Sequence, residues 1–297
     1  MFDYASLAAV AAVVKEGSFE RAARLLNVTP SAISQRIKLL EERMGSALIV
    51  RGQPCTATPA GNLICRHVEQ VGMLEQQLRD SMPQIAPADA ADRVTLRIGV
   101  NADSLATWFL AAVAPFSRDE AALLDLLIDD EEHTVEGLRT GQVLAAVTSH
   151  EQSVSGCNSV TLGKLRYRAV ASPEFVRRHF SMGVNAGTLS AAPALRFNHK
   201  DQLQAQWIHG CLGRELVTPA HWLPSTQAFL DASVAGIAWG MNPELLIQPH
   251  LAAGTLVELI ADTPLDVPLY WQHTRMQLPM LERLTREVAA AARAALK

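Results

Sequence analysis

Residues 19–45 read FERAARLLNVTPSAISQRIKLLEERMG, and this stretch decides the fold. Ser18 is suited to cap a helix over residues 19–26, where Ala22, Ala23 and Leu26 present a small-residue face for close packing. Asn27, Val28 and Thr29 form a tight turn. Thr29 as N-cap, with Pro30 at the first helical position, then opens another helix, because proline's missing N–H is harmless there. Ile33, Ile37, Leu40 and Met44 recur at spacings of 4, 3 and 4 and make its buried stripe, and Gly45 ends it. Two short helices meeting across a small turn are a helix-turn-helix.

The opposite face of that last helix starts at Pro30 and carries Ser31, Ser34, Gln35 and Lys38, with Arg36 beside it. Short donors and acceptors followed by cations suit base edges and phosphates in a major groove of double-stranded DNA; the alternative is a solvated polar face. Upstream, Leu7, Val10, Ala11 and Val14 mark a helix stopped by Gly17. Downstream, residues 47–51 and 54–58 read as a β-hairpin wing with Arg51 available to a phosphate.

From 59 to 82 nothing interrupts a helix of about 24 residues, roughly 36 Å long. Ile64, Val68, Val71, Leu78 and Met82 fall on one heptad seam whose only polar member is Glu75, and Leu63 and Leu74 widen it. Such a seam calls for a partner chain, so a dimerisation helix is expected, against the alternative of a helix packed on its own domain. Residues 83–92 (PQIAPADAAD) are a linker by composition.

The 297 residues are 49% hydrophobic and 19% charged, enough for two domains with cores of their own. The longest apolar run, residues 7–14, is far short of the roughly twenty needed to span a membrane, and Asp3 stands where a secretory leader would be basic. Cys55, Cys65, Cys157 and Cys211 lack metal-site or disulfide spacing. A soluble cytoplasmic protein without cofactor, metal or membrane partner is expected. Net charge is −4, but residues 1–83 hold nine bases against eight acids, leaving 17 of the 26 bases and 22 of the 30 acids beyond them. A mildly basic head sits on an acidic body.

Past residue 93 the pattern alternates: strand 94–100, helix 104–116, strand 123–129, helix 133–140, strand 143–148. This βαβαβ run predicts an α/β fold with a parallel sheet and ligands beyond the strands' carboxyl ends, and a second similar set is expected to follow. A final strand at 269–273 and an amphipathic helix at 281–296 complete the chain. No GxGxxG, GxxxxGKS/T, GxSxG or HExxH is present. The run from Asp129 to His133 (DDEEH) lacks a second ligand cluster and does not read as a metal site.

Residues 19–45, together with 48–51 and the TPAG at 58–61, resemble the winged helix-turn-helix and linker helix of the LysR-type transcriptional regulators. Residues 235–259 (AGIAWGMNPELLIQPHLAAGTLVEL) resemble that family's effector domain, with Trp239 in place of a smaller aliphatic and Leu144 where the wider family has Asp. Residues 101–108 (NADSLATW), the Phe197-Asn198-His199 stretch and the acids after Ile128 resemble the ArgP/IciA/LysG subgroup, which responds to lysine and arginine. The resemblance implies a winged domain at 1–58, a linker helix and hinge at 59–92, and a two-lobed effector domain at 93–297 like a periplasmic binding protein. Lobe one would be 93–165 with 265–297, and lobe two 166–264. It further implies a non-enzymatic regulator of basic amino-acid export or metabolism, forming homodimers and homotetramers and working with RNA polymerase. The alternative is a cytosolic small-molecule binding protein or enzyme whose helical head serves dimerisation.

On that reading the effector's α-carboxylate is expected at Ser104, where a helix start offers free N–H groups, with Leu105 beside it. Thr226 and its neighbour Ser225 are expected to approach from lobe two, and Thr148 to face the same crevice. A cationic side chain needs an acid, and Asp129, Asp130 and Glu131 follow the second strand, with Asp130 favoured.

Overall fold

Asp3 opens the chain's first helix by accepting a hydrogen bond from the Ala5 N–H at 3.2 Å. This computed structural model describes residues 3–82, 94–119, 122–128, 131–276 and 278–297, the side chains at 80, 81 and 131–133 apart. Helices α1 (Tyr4–Glu16), α2 (Phe19–Leu25) and α3 (Pro30–Met44) precede a two-stranded wing, β1 (Ile49–Val50) and β2 (Thr56–Ala57), and the long helix α4 (Pro59–Ser81). Ser18, Thr29 and Thr58 each cap the helix they precede through a side-chain oxygen.

The head core joins Leu7, Val10 and Val13 of α1 to Ala22 and Ala23 of α2, to Ile33, Ile37 and Leu40 of α3, and to Leu48 and Ile64. Three expected members of this core lie elsewhere. The α1 face runs through Ala9, Ala12 and Val13, leaving Ala11 and Val14 half-exposed, and Met44 projects into solvent one turn past Leu40. The wing is tied to α3 by Glu41, whose Oε1 accepts the Leu48 N–H at 2.7 Å. Gly61 is obligatory at the start of α4: a Cβ there would lie 1.9 Å from the Leu48 carbonyl oxygen.

Helix α4 spans 23 residues. Its expected seam divides. Ile64 and Val68 pack into the head core, Met73 is buried against the following domain, and Val71 is half-buried. The exposed apolar stripe is Leu63, Leu74, Leu78 and Met82. Arg97 pairs with Asp125 at 2.8 Å and reaches Glu69 of α4 at 3.9 Å, so the helix is held from both sides within one chain.

The second domain begins with β3 (Val94–Val100), α5 (Ala102–Ser104), a π turn (Leu105–Phe109), α6 (Leu110–Asp119), β4 (Ala122–Ile128), α7 (Glu131–Thr140) and β5 (Ala145–Thr148). It continues through β6 (Cys157–Ala171), α8 (Pro173–His179), α9 (Ala186–Ala191), β7 (Ala194–Arg196), α10 (Leu203–Leu212) and β8 (Ala220–Trp222). It closes with α11 (Thr226–Val234), β9 (Gly240–Pro243), α12 (Glu244–Ala252), β10 (Val257–Glu258), β11 (Leu265–Thr274) and α13 (Pro279–Ala295).

One curled sheet runs β10-β6-β11-β5-β3-β4, with β9 also on β6. Strand β3 pairs in parallel with β4 and β5, as the alternating pattern predicts. The expected second parallel set does not form in this sheet. Strands β6, β9, β10 and β11 pair antiparallel, and beside them the short β7–β8 pair is parallel. Strand β6 is 15 residues long because its outward cations have partners: Arg166 meets Asp266 at 2.7 Å, and Arg168 meets Glu244 and Glu258 at 2.8 and 2.9 Å. The core beneath is aromatic-rich, with Trp108, Phe109 and Trp271 packed beside Leu284 and Val288 of α13.

Candidate nucleic-acid interface and effector cleft

Pro30, Ser31, Gln35 and Lys38 are exposed along α3, with Ser34 and Arg36 half-buried beside them. The Ser31 and Thr29 hydroxyls lie 3.0 Å apart, and Lys38 pairs loosely with Glu42 at 3.8 Å. Arg51 lies on the wing with its guanidinium 5.5 Å from the centre of the Phe19 ring. Exposed Arg24 on α2, which the sequence reading passed over, adds a cation to the head. An N-capped helix led by small polar side chains, with cations further along and on a hairpin, is the arrangement that enters a major groove.

The second site is a cavity of about 860 Å³ between the two ends of the sheet. Small-molecule sites span roughly 300–1,000 Å³. Asn101, Ala102 and Asp103 line it after β3, Ile128 as the last residue of β4, and Ser149 and His150 after β5; these are the carboxyl ends of the parallel strands. Facing them are Tyr167, the loop from Phe197 to Gln202, and Thr226 with Phe229 on α11.

Asp103 joins the two sides. Its Oδ1 accepts the Thr226 hydroxyl at 2.7 Å and its Oδ2 the Tyr167 hydroxyl at 2.8 Å. No lysine or arginine pairs with it among the described residues. Burial pushes its carboxyl above the ordinary carboxylate range; the hydrogen bonds from Thr226 and Tyr167 pull it down, and the Asp201 carboxylate pushes it up further. Asp201 is itself held by the N–H groups of Phe197 at 2.9 Å and Leu203 at 3.0 Å. At the rim, His199 lies against half-exposed Trp222, ring centres 4.2 Å apart.

Residues 4–62 match the family described as bacterial regulatory helix-turn-helix protein, lysR family, and residues 90–293 match the LysR substrate binding domain. The chain belongs to the LysR family. It is 44% identical over 289 residues to the HTH-type transcriptional regulator ArgP of Pseudomonas fluorescens, covering 97% of this chain and 96% of that one. The crystal structure of ArgP from Mycobacterium tuberculosis superimposes with a TM-score of 0.84 at 42% identity, covering 100% of this chain and 99% of that chain. Full-length LysG from Corynebacterium glutamicum with bound effector Arg superimposes with a TM-score of 0.72 at 34% identity, both chains covered entirely. These relatives are transcriptional regulators rather than enzymes.

Within this LysR-family effector domain the anticipated ligand residues fall in different places. Thr226 lines the cavity, and Ser225 is exposed, capping α11 by accepting the Ala228 N–H at 3.4 Å. Ser104 is fully buried outside the lining, and its N–H is taken by Asn101 Oδ1 at 2.7 Å. Leu105 packs half-buried against the core. The Thr148 hydroxyl faces inward, donating to the His150 carbonyl at 3.3 Å and lying 3.4 Å from Gln272 Nε2. Asp129 and Asp130 lie outside the described residues, as does the Glu131 side chain, although Ile128 just before them lines the cavity. Sequence reasoning missed Asp103, Tyr167 and Asp201. Asp103 was inside the NADSLATW motif, and Asp201 follows the quoted Phe197–His199 stretch by two positions. Among the described residues no group of three or more His, Cys, Asp or Glu is placed to hold a metal ion, and no helix is long and apolar enough to cross a membrane.

Proposed function

We propose that this LysR-family regulator binds an inverted-repeat DNA site as a homodimer or homotetramer and that a basic amino acid, arginine or lysine, sets its response. The observation that carries the effector reading is the pair Asp103 and Asp201 facing one cavity, with no resident cation on Asp103 among the described residues. A buried carboxylate without a cation is costly, and a ligand that brings the cation recovers that cost. The relative solved with bound effector Arg supports the same class of ligand. A role in basic amino-acid export or metabolism, in the cytoplasm and with RNA polymerase as a further partner, follows from this reading.

The units of the reading are a winged domain over 1–58, a linker over 59–92 and an effector domain over 93–297. In the winged domain Ser31, Ser34 and Gln35, led by Pro30, face the bases. Arg36, Lys38 and Arg51 serve the phosphates. In the effector domain strand β6 runs from lobe one into lobe two and β11 begins at the return to lobe one, so a ligand bound between 101–103 and 226 acts on the relative angle of the lobes. Only an effector with different affinities for the two arrangements shifts their populations.

Thermal melting of the full chain against the twenty amino acids tests the effector class. At 100 times its dissociation constant a ligand adds about 2.7 kcal/mol of stability. Arginine or lysine is expected to raise the melting temperature well above the other amino acids. A melt moved equally by neutral amino acids, or by none, contradicts the reading.

A further inference from the structure

The turn after β3 is where an amino-acid carboxylate would ordinarily be sought, because the start of a helix offers N–H groups and a favourable dipole. In this chain part of that place is already taken. The Ser104 N–H is occupied by Asn101 Oδ1 at 2.7 Å, the Leu105 N–H by the Asn101 carbonyl at 3.1 Å, and the Ser104 hydroxyl is buried away from the cavity. What the turn presents to the cavity is an acid, the Asp103 carboxyl.

That carboxylate is aimed rather than spent. One donor binds each oxygen, Thr226 on Oδ1 and Tyr167 on Oδ2, and each oxygen of an ionised carboxylate has a second acceptor direction. Two acceptor sites therefore remain on a carboxylate locked by hydroxyls from α11 and β6. A planar guanidinium or a compact ammonium can take them, whereas an anion placed there is repelled by Asp103. Across the cavity, the Asn198 amide and the His199 ring line the rim and can donate.

We propose that Asp103 selects the effector by its side-chain cation: the guanidinium or ammonium end enters toward the β3 turn, and the α-carboxylate faces the 198–200 rim. This orientation is the reverse of the one expected from the helix start, and it makes Asp103 the residue that separates basic amino acids from their neutral isosteres. It rests on the effector reading above, and its test separates the two.

Calorimetric titration of the full chain with arginine and with citrulline, which replaces the guanidinium by a neutral urea of nearly the same shape, measures the selection directly. Wild type should bind arginine at least about tenfold more tightly than citrulline, since a fully desolvated charge pair is lost. Asp103→Asn should bring the two within about threefold, mostly by loss of arginine affinity. Citrulline binding by that variant also reports that its cavity is formed. Nα-acetylated arginine and citrulline, titrated into wild type alone, provide the second arm: the preference should survive acetylation, because the α-amino group is not the one on Asp103. An arginine preference that Asp103→Asn leaves intact, or that acetylation removes, overturns the assignment. Failure of wild type to bind arginine or lysine at all overturns the effector reading instead.

Discussion

Thr226 Oγ1 donates to Asp103 Oδ1 at 2.7 Å, a contact between residues 123 positions apart that closes the cavity from one side to the other. The bond offsets part of the cost of burying the Asp103 charge. Thr226→Val removes the donor at nearly constant volume, and a hydrogen bond to a charged group is worth about 1.5–3 kcal/mol. Denaturant unfolding of the ligand-free chain at neutral pH should show a loss of this order, shrinking as the pH is lowered and Asp103 takes up a proton. A loss that does not vary with pH would mean that Thr226 serves packing alone.

Asp103 itself gives a prediction of opposite sign. Its carboxyl is raised by burial, so the folded state holds the proton more tightly than the unfolded chain. The contribution to stability is therefore fully present below the ordinary carboxylate pKa and is lost as the pH rises through the higher folded value. Ligand-free Asp103→Asn should be at least as stable as wild type at pH 7, with the gap closing under acid, even as arginine binding is lost. Melting curves from pH 4 to 8 check this; a variant markedly less stable at pH 7 contradicts it.

Gly61 lies where α4 crosses the wing, and an added Cβ would stand 1.9 Å from the Leu48 carbonyl oxygen. Gly61→Ala must push the helix off the hairpin, which costs about 1–3 kcal/mol or more. The first unfolding transition should move down, and DNA affinity should fall with it. The same change at Gly72, with open space around its position, should cost nothing comparable.

On the head, Gln35 and Arg51 should behave differently. Gln35→Ala is expected to cost about 1–3 kcal/mol on the preferred site and to relax the choice of base there. Arg51→Ala should weaken all duplexes alike and lower the slope of affinity against salt by about one. Competition binding at several salt concentrations distinguishes them, and a Gln35→Ala protein with unaltered preference removes that residue from base reading.

Leu74 and Leu78 are more than half exposed on α4, in line with Leu63. Large apolar side chains aligned on a long helix are covered by a partner. Charging both, as Leu74→Glu with Leu78→Glu, should shift the sedimentation profile toward monomer and weaken binding to a two-half-site duplex. A doubly charged protein that remains dimeric would locate the contact elsewhere.

The recognition helix was legible because its signals are local: Thr29 caps, Pro30 leads, Gly45 stops, and Ile33, Ile37 and Leu40 are buried as their spacing requires. The α4 stripe was less legible, since Ile64, Val68 and Met73 are claimed by domains folded far apart in sequence and no spacing states which domain claims which turn. Sequence pattern alone does not give strand β6 its full 15 residues, because Arg166 and Arg168 meet Asp266, Glu244 and Glu258 only through distant elements. At the candidate effector cleft Thr226 was legible as a helix start. Asp103 was not. It and Ser104 are neighbours in a helix only three residues long before a π turn, so periodicity does not decide which of them faces the cavity. Tyr167 reaches Asp103 only through the topology of the sheet.

The central claim, a sequence-specific regulator whose DNA complex answers to a basic amino acid, is tested most directly by selecting duplexes from a random pool with the full chain, with and without arginine. The selected duplexes should then be footprinted under both conditions. The account predicts enrichment of an inverted repeat with half-sites about one helical turn apart, 34–36 Å, and a footprint whose length or hypersensitive positions change when arginine is added. Binding that enriches no sequence, or an enriched site whose footprint and affinity are indifferent to arginine and lysine alike, would contradict it.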